Sequence, residues 1–321
     1  MTRTLVFLLT AAGLAATAWI VRGVGVAPVL AAVGRVGWAG FAGYCLYSVI
    51  VLALLGAAWR AVAPGGGPVA AYAWARAVRE GATDVLPFAQ IGGLVVGGRV
   101  LAGQGVANDL VYASMIADLT TELGSQAVFT LFGAGALVLA LGGEFDGGGV
   151  LRLVLGGTGL AVAMLAAFAL AQRPLLRLAT RLAARMLPAS VASLDAIGER
   201  LATIYRAPAP LALSFALNFA AWVASGVGAW LALRLLGAEI GVGAVVAIEA
   251  LIFAVRSIAF VVPGALGVQE GAYLLLAPLF GLDPEAAIAL SLLKRARDVV
   301  IGLPALLAWQ AGEGRKLLAR G

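Results

Sequence analysis

Glu249 and Arg256 stand seven positions apart in an otherwise apolar run that leads into Pro263-Gly-Ala-Leu-Gly-Val-Gln-Glu-Gly271. A charge in hydrocarbon costs about 2.5 to 3.5 kcal/mol on insertion scales, so ionisable groups at such places usually line a polar path or pocket. On a helix the two side chains would lie about 20° apart around the axis and about 10 Å apart along it, too far for direct contact. Each is therefore expected to pair with another element. Charge balance offers Asp118 or Glu122 to Arg256, and Arg79 or Arg295 to Glu249.

A second set surrounds those two carboxylates. Ser114, Asp118, Thr121, Glu122 and Ser125 fall on one helical face. Carboxylates one turn apart resist joint ionisation, which suits a proton relay, while the same pattern also makes a structural polar seam between helices. The sequence is compatible with both readings. A third set, Lys294, Arg295, Arg297 and Asp298, interrupts the last apolar run near its middle, and Pro304 follows. The alternatives are a solvated break between two short helices and, as the length from Glu285 to Trp309 favours, one crossing whose centre faces a polar cavity. Asp283-Pro284-Glu285 gives that helix a start, with Asp at the N-cap and Pro at the first helical position.

The elements that position these residues belong to a membrane protein. Of 321 residues, 62% are hydrophobic and 12% charged, at a mean hydropathy of +1.02. Histidine is absent and cysteine occurs once, at Cys45, which removes disulfides, zinc-ligand spacings and imidazole chemistry and argues against metal or redox catalysis. No cofactor is expected, and no phosphate-binding loop of the G-x-x-x-x-G-K-[ST] type is present. The net charge of +6 comes mostly from arginine and is read as composition, with no nucleic-acid partner.

Apolar runs occur at residues 5 to 21, 39 to 58, 110 to 141, 150 to 171, 209 to 236, 242 to 262 and 285 to 309. The first is read as an uncleaved anchor, although Ala16-Thr17-Ala18 resembles a small-residue cleavage site. Residues 172 to 208 and the tail after Trp309 are basic and should be cytoplasmic. The acidic connectors at 142 to 149 and 237 to 241 should face outward. Arg173, Arg177, Arg181 and Arg185 recur every four residues, a stripe suited either to anionic headgroups or to an ordinary positive-inside loop.

Two segments do not read as plain spans. Residues 72 to 103 hold Arg76, Arg79, Glu80, Asp84, Pro87, Gln90 and Arg99, and residues 263 to 281 are broken by Pro263 and Pro278 and contain Glu270. Both are expected to be broken or re-entrant helices, because irregular backbone at membrane depth survives only inside protein or beside a wet cavity. Ala77-Val78-Arg79 before Pro87 faintly matches Ala254-Val255-Arg256 before Pro263, a likeness that chance produces as readily as descent in so Ala-, Val- and Gly-rich a chain; if inherited, it is the mark of a transporter built from two repeats. The expected organisation is one transmembrane domain over 1–321, with halves 1–171 and 209–321 joined by the basic linker 172–208. Six crossings plus two hairpins, and eight crossings, satisfy the charge count equally.

These motifs carry a family resemblance. Pro263-Gly-Ala-Leu-Gly-Val-Gln-Glu-Gly271 resembles a signature of the flippase-like transmembrane domain of lysylphosphatidylglycerol synthases. Residues 79 to 93 and 117 to 126 resemble a narrower branch, hopanoid-biosynthesis-associated membrane proteins of the HpnL type. The resemblance implies a bacterial inner-membrane protein related to lipid translocators and lacking a soluble aminoacyl-transfer domain. Leu94 and Gln269 depart from the acidic and basic residues usual there, and the missing base weakens the case for strong phosphate binding.

The expectation is an all-α polytopic membrane protein of about six to eight transmembrane helices. Its function would be to move a hopanoid or related polar-headed lipid between leaflets without enzymatic chemistry. The substrate-binding candidates are Arg79, Glu80, Asp84, Pro87, Gln90, Asp118, Glu122, Glu249, Arg256, Pro263, Gly264, Gly267, Gln269, Glu270 and Arg295. Alternatives are a scaffold for hopanoid-pathway proteins and a membrane enzyme using Asp118 and Glu122 as an acid-base pair. The oligomeric state is not set by the sequence.

Overall fold

The computed structural model describes residues 22, 26–85, 89–141, 191–259 and 262–318, and among these the architecture is all-helical. The helices are α1 (Val26–Ala61), α2 (Val69–Val85), α3 (Ala89–Ala102), α4 (Asn108–Leu141), α5 (Val191–Tyr205), α6 (Pro208–Leu235), α7 (Val242–Ile258), α8 (Val268–Leu276) and α9 (Pro284–Leu318). Two 3-10 turns, Pro263–Ala265 and Ala277–Phe280, flank α8. The protein is a polytopic all-α membrane protein.

Length separates the helices into two kinds. α1, α4, α6 and α9 span 36, 34, 28 and 35 residues, α1 with a kink at Gly37 (φ 64°), and all exceed the about 20 that a bilayer core demands. Segments of three of them, Gly34–Ala61, Asn108–Ala140 and Pro208–Leu235, are both long and apolar enough to cross. α9 is as long, and its central charges are what lower its hydropathy. By contrast α2, α3, α7 and α8 have 17, 14, 17 and 9 residues. Of the two arrangements left open for 242–281, the hairpin fits these lengths, because a nine-residue helix rises only about 14 Å. Both short pairs, α2 with α3 and α7 with α8, pack on each other as hairpins.

Local sequence explains the boundaries. Pro208 and Pro284 open α6 and α9, where a missing N–H costs nothing. The Asp283 carbonyl accepts from Ala287 N–H at 3.0 Å. α7 ends before a break in which Gly264, Ala265 and Gly267 all take positive φ, at 57°, 47° and 77°. α9 runs unbroken through Lys294–Asp298 and Pro304.

The order long helix, hairpin, long helix thus occurs twice, and the packing follows the same exchange. α1 meets α6; α2 lies against α9 as α7 lies against α4; α1 touches α9 as α6 touches α4. Small residues allow the crossings between these sets. A Cβ on Gly81 of α2 would fall 2.4 Å from the Gly302 carbonyl of α9, and one on Gly133 of α4 would fall 2.7 Å from Ala250 Cβ of α7. Large side chains such as Trp38, Leu46, Ile50, Leu139 and Leu275 are exposed on the outside, as lipid contact requires.

α5 docks on α4 through Thr120 and Tyr205, whose hydroxyls are 2.8 Å apart, and through Arg200 with Asp109 at 3.0 Å. The runs at 5–21 and 150–171, the connector 142–149 and the stripe Arg173, Arg177, Arg181 and Arg185 lie outside the described residues.

Candidate functional site

The first charged cluster joins the hairpin arm α2 to the long helix α4. Arg76 and Arg79, one turn apart on α2, face Asp118 and Glu122, one turn apart on α4, so two guanidiniums share two carboxylates. Arg76 forms a close bidentate pair with Glu122, and its Nε lies 2.8 Å from Glu80 Oε1. Arg79 Nη2 donates to Glu122 Oε2 at 3.3 Å. Asp118 Oδ2 is 3.7 Å from Arg76 and 3.8 Å from Arg79, beyond hydrogen-bond reach, while its Oδ1 accepts from Asn218 Nδ2 of α6 at 3.3 Å. Further polar contacts run along the α4 to α6 seam, Thr121 with Ser214 at 2.7 Å and Trp222 Nε1 donating to Ser125 Oγ at 3.1 Å.

The second cluster joins the hairpin α7/α8 to α9. Glu249, fully buried, accepts from Lys294 and from the Tyr273 hydroxyl, and Lys294 Nζ also donates to Tyr273 Oη at 2.9 Å. Glu270 accepts from Arg295 Nε at 2.6 Å, from Ser291 Oγ at 2.9 Å and from the Gly267 N–H at 2.9 Å. Arg295 continues to the Gly264 carbonyl at 3.1 Å and the Ala265 carbonyl at 3.4 Å. One arginine thereby holds the positive-φ break, including Ala265, where a side chain costs about 1 to 2 kcal/mol. Gln269 Nε2 donates to Ser291 Oγ at 2.7 Å. Arg297 pairs with Asp298 at 2.9 Å and reaches the Tyr44 hydroxyl of α1 at 3.2 Å.

A cavity of about 690 Å³ separates the two clusters. Its walls come from residues 44–55 of α1, 76–83 of α2, 119–126 of α4, 222–228 of α6, 253–257 of α7 and 294–302 of α9. These are the middle stretches of the four long helices together with parts of the two hairpins. Charged side chains from both clusters line it.

Of the sequence candidates, Arg79, Glu80, Glu122, Arg256 and Gly264 line this cavity. Asp118, Glu249, Gln269 and Glu270 are buried behind its walls, Arg295 braces the break, and Gly267 caps α8. The side chains of Asp84 and Gln90, and all of Pro87, lie outside the described residues; Pro263 opens the 3-10 turn. The expected pairings are corrected. Arg256 pairs with neither Asp118 nor Glu122, which Arg76 and Arg79 already occupy from the facing arm. Glu249 takes Lys294 in place of Arg79 or Arg295, because Lys294 is the cation of α9 that reaches it.

Arg76, Lys294 and Tyr273 were absent from the sequence candidates although they carry much of the pairing. Two signals pointed to them. Arg76 and Arg79 repeat at i, i+3 what Asp118 and Glu122 repeat at i, i+4 with opposite sign, and Lys294 is one of only two lysines in the chain. Tyr273 left no comparable signal.

The family described as lysylphosphatidylglycerol synthase TM region matches residues 4–305, and the chain belongs to that family. No curated protein and no solved structure gave a significant match.

Proposed function

Taking membership of the lysylphosphatidylglycerol synthase TM region family as the premise, we propose that this protein moves a polar-headed lipid between the leaflets of a bacterial inner membrane. The headgroup would occupy the cavity while the acyl or polycyclic tail stays in surrounding lipid. The observation that carries this reading is a charged cavity of about 690 Å³ walled by the middles of all four long helices. Its size suits a headgroup, since ligand sites run from about 300 to 1,000 Å³. Mid-helix placement between two similar halves is where transporters of repeated architecture bind their cargo.

The resemblance of residues 79–93 and 117–126 to the HpnL branch is the ground for a hopanoid cargo. The basic stripe Arg173, Arg177, Arg181 and Arg185 would meet anionic headgroups at the cytoplasmic surface. A non-enzymatic carrier accounts for the site better than lipid acid-base chemistry does. Asp118, one member of the required pair, is buried and bonded to Asn218, and the other, Glu122, is clamped by two arginines. A scaffold for hopanoid-pathway proteins needs no cavity.

The test is leaflet exchange of tail-labelled fluorescent lipids in vesicles reconstituted with the full chain, read by dithionite bleaching from outside. Exchange should exceed that of protein-free vesicles and collapse in Ser225→Trp, which would fill the cavity. Bleaching that stops at the outer-leaflet plateau for every lipid tried would transfer the assignment to the scaffold.

A further inference from the structure

Resting on the translocator reading, we infer that the headgroup taken by this cavity is anionic, with Arg256 as its counter-charge. Among the described residues five basic side chains line the walls: Arg76, Arg79, Arg256, Lys294 and Arg297. Four of them have carboxylate partners, Arg76 and Arg79 in Glu122, Lys294 in Glu249 and Arg297 in Asp298. Among the described residues Arg256 has no carboxylate within 4.0 Å and makes no hydrogen bond. It is half-buried in the last turn of α7, where the helix carbonyls favour a cation but leave its donors unused.

The pairing of the other charges decides between classes of headgroup. Among the described residues each carboxylate on the walls, Glu80, Glu122 and Asp298, is held in an ion pair, so a cationic headgroup would have to break one to enter. An uncharged polyol could enter but would leave Arg256 uncompensated at membrane depth. A phosphate-class anion supplies the missing charge and accepts from the guanidinium fork in charge-assisted geometry. A neutral donor is near at hand in Ser225, which lines the same cavity, while Gln126 there donates to Ser257 and both donate to the Phe253 carbonyl.

The experiment uses the full chain, with wild type, Arg256→Gln and Arg256→Lys compared by ligand-induced shift of the thermal unfolding midpoint. The probes are dihexanoylphosphatidylglycerol, a short-chain glucosyl lipid and inorganic phosphate. The phosphatidylglycerol analogue should bind wild type about tenfold or more tighter than Arg256→Gln, as loss of a charge-assisted contact implies, with Arg256→Lys in between. The glucosyl lipid should not distinguish the three proteins. Equal binding of the anionic analogue to wild type and Arg256→Gln, with unliganded midpoints unchanged, would overturn the inference. Inorganic phosphate binding as tightly as the lipid analogue would overturn the headgroup assignment in favour of a soluble anion. Vesicle exchange keeps the two readings apart. If labelled glucosyl lipid crosses as fast as labelled phosphatidylglycerol, translocation stands and the anionic selection falls. If no lipid crosses but the analogue still binds through Arg256, translocation falls and the anion site stands.

Discussion

The two charged clusters have one layout and opposite signs. In the first, the hairpin arm α2 carries the cations Arg76 and Arg79 and the long helix α4 carries Asp118 and Glu122. In the second, the hairpin α7/α8 carries Glu249 and Glu270 and the long helix α9 carries Lys294 and Arg295. Across the molecule α2 packs on α9 and α7 on α4, so each interface between the halves brings like signs toward each other. Among the described residues the ion pairs at the cavity are all made within a half, whereas contacts between halves join a charge only to a neutral group, as at Asn218–Asp118 and Tyr44–Arg297, or are neutral or glycine-mediated, as at Tyr47–Ala224 and Gly81–Gly302. The arrangement lets each half satisfy its own charges and move against the other without breaking a salt bridge. We propose that this is how the cavity would alternate between the two sides.

The clusters also differ in redundancy, and that difference gives the largest expected effect. Glu249 has one cation, Lys294, whereas Glu122 has two, Arg76 and Arg79. Lys294→Met leaves a fully buried carboxylate with only a tyrosine hydroxyl and should destabilise by about 3 to 5 kcal/mol. The unfolding midpoint in detergent measures it. Glu249→Gln with Lys294→Met should recover most of the loss, because the uncompensated charge, more than the missing pair, is what costs. Arg79→Met should cost less than half as much, with Arg76 still on Glu122. Equal losses in Lys294→Met and Arg79→Met would erase the distinction.

The crossings between the halves come next. Gly81→Leu would drive a side chain into the Gly302 backbone, and Gly133→Leu into Ala250 and the Ala247 carbonyl. Each should cost about 1 to 3 kcal/mol by overpacking, and leaflet exchange should fall further than stability does. The sharper expectation is that the two variants behave alike. A defect in only one would mean that the halves are not mechanically equivalent despite their matched order of elements.

Much of this comparison was legible beforehand. Apolar runs located α1, α4, α6 and α9 to within a few residues at most ends, and Pro263 with its glycines announced the break after α7, because chain breaks are written in local residue chemistry. Pairing was not legible. Glu249 lies 45 positions from Lys294 and Arg76 lies 46 from Glu122, and which cation reaches which carboxylate depends on how α2 and α9 rotate about their axes. Charge balance alone assigned Arg256 to a carboxylate and left Lys294 unassigned; the structure reverses that, with Lys294 paired to Glu249 beside Tyr273. The sign inversion needed both sets of pairings, so it could not precede them.

A smaller effect is expected where the halves exchange single hydrogen bonds between a charged and a neutral side chain. Asn218→Leu removes the amide donor from buried Asp118 and should cost about 1 to 3 kcal/mol, the usual penalty for an unsatisfied buried acceptor. Its counterpart in layout is Tyr44→Phe, which takes a hydroxyl from Arg297; that guanidinium keeps Asp298, so the loss should stay near or below about 1 kcal/mol. Chemical denaturation of the two variants side by side checks the ranking. Tyr44→Phe falling below Asn218→Leu in stability would place the weight on the α1–α9 contact instead.

The smallest effect should come from the ion pair that belongs to neither cluster. Arg200 of α5 meets Asp109 at the start of α4 at 3.0 Å, with the two side chains 45% and 26% exposed. Water and salt screen such a pair, and holding both side chains in one geometry costs entropy, so Arg200→Ala should change stability by no more than about 1 kcal/mol. What docks α5 is then the Tyr205–Thr120 contact with Leu201 and Ile204 buried around it. Raising the ionic strength separates the accounts. A midpoint for wild type that falls with salt to meet that of Arg200→Ala would make α5 electrostatically held. Parallel midpoints at all salt concentrations would leave the buried clusters as the places where charge decides the structure.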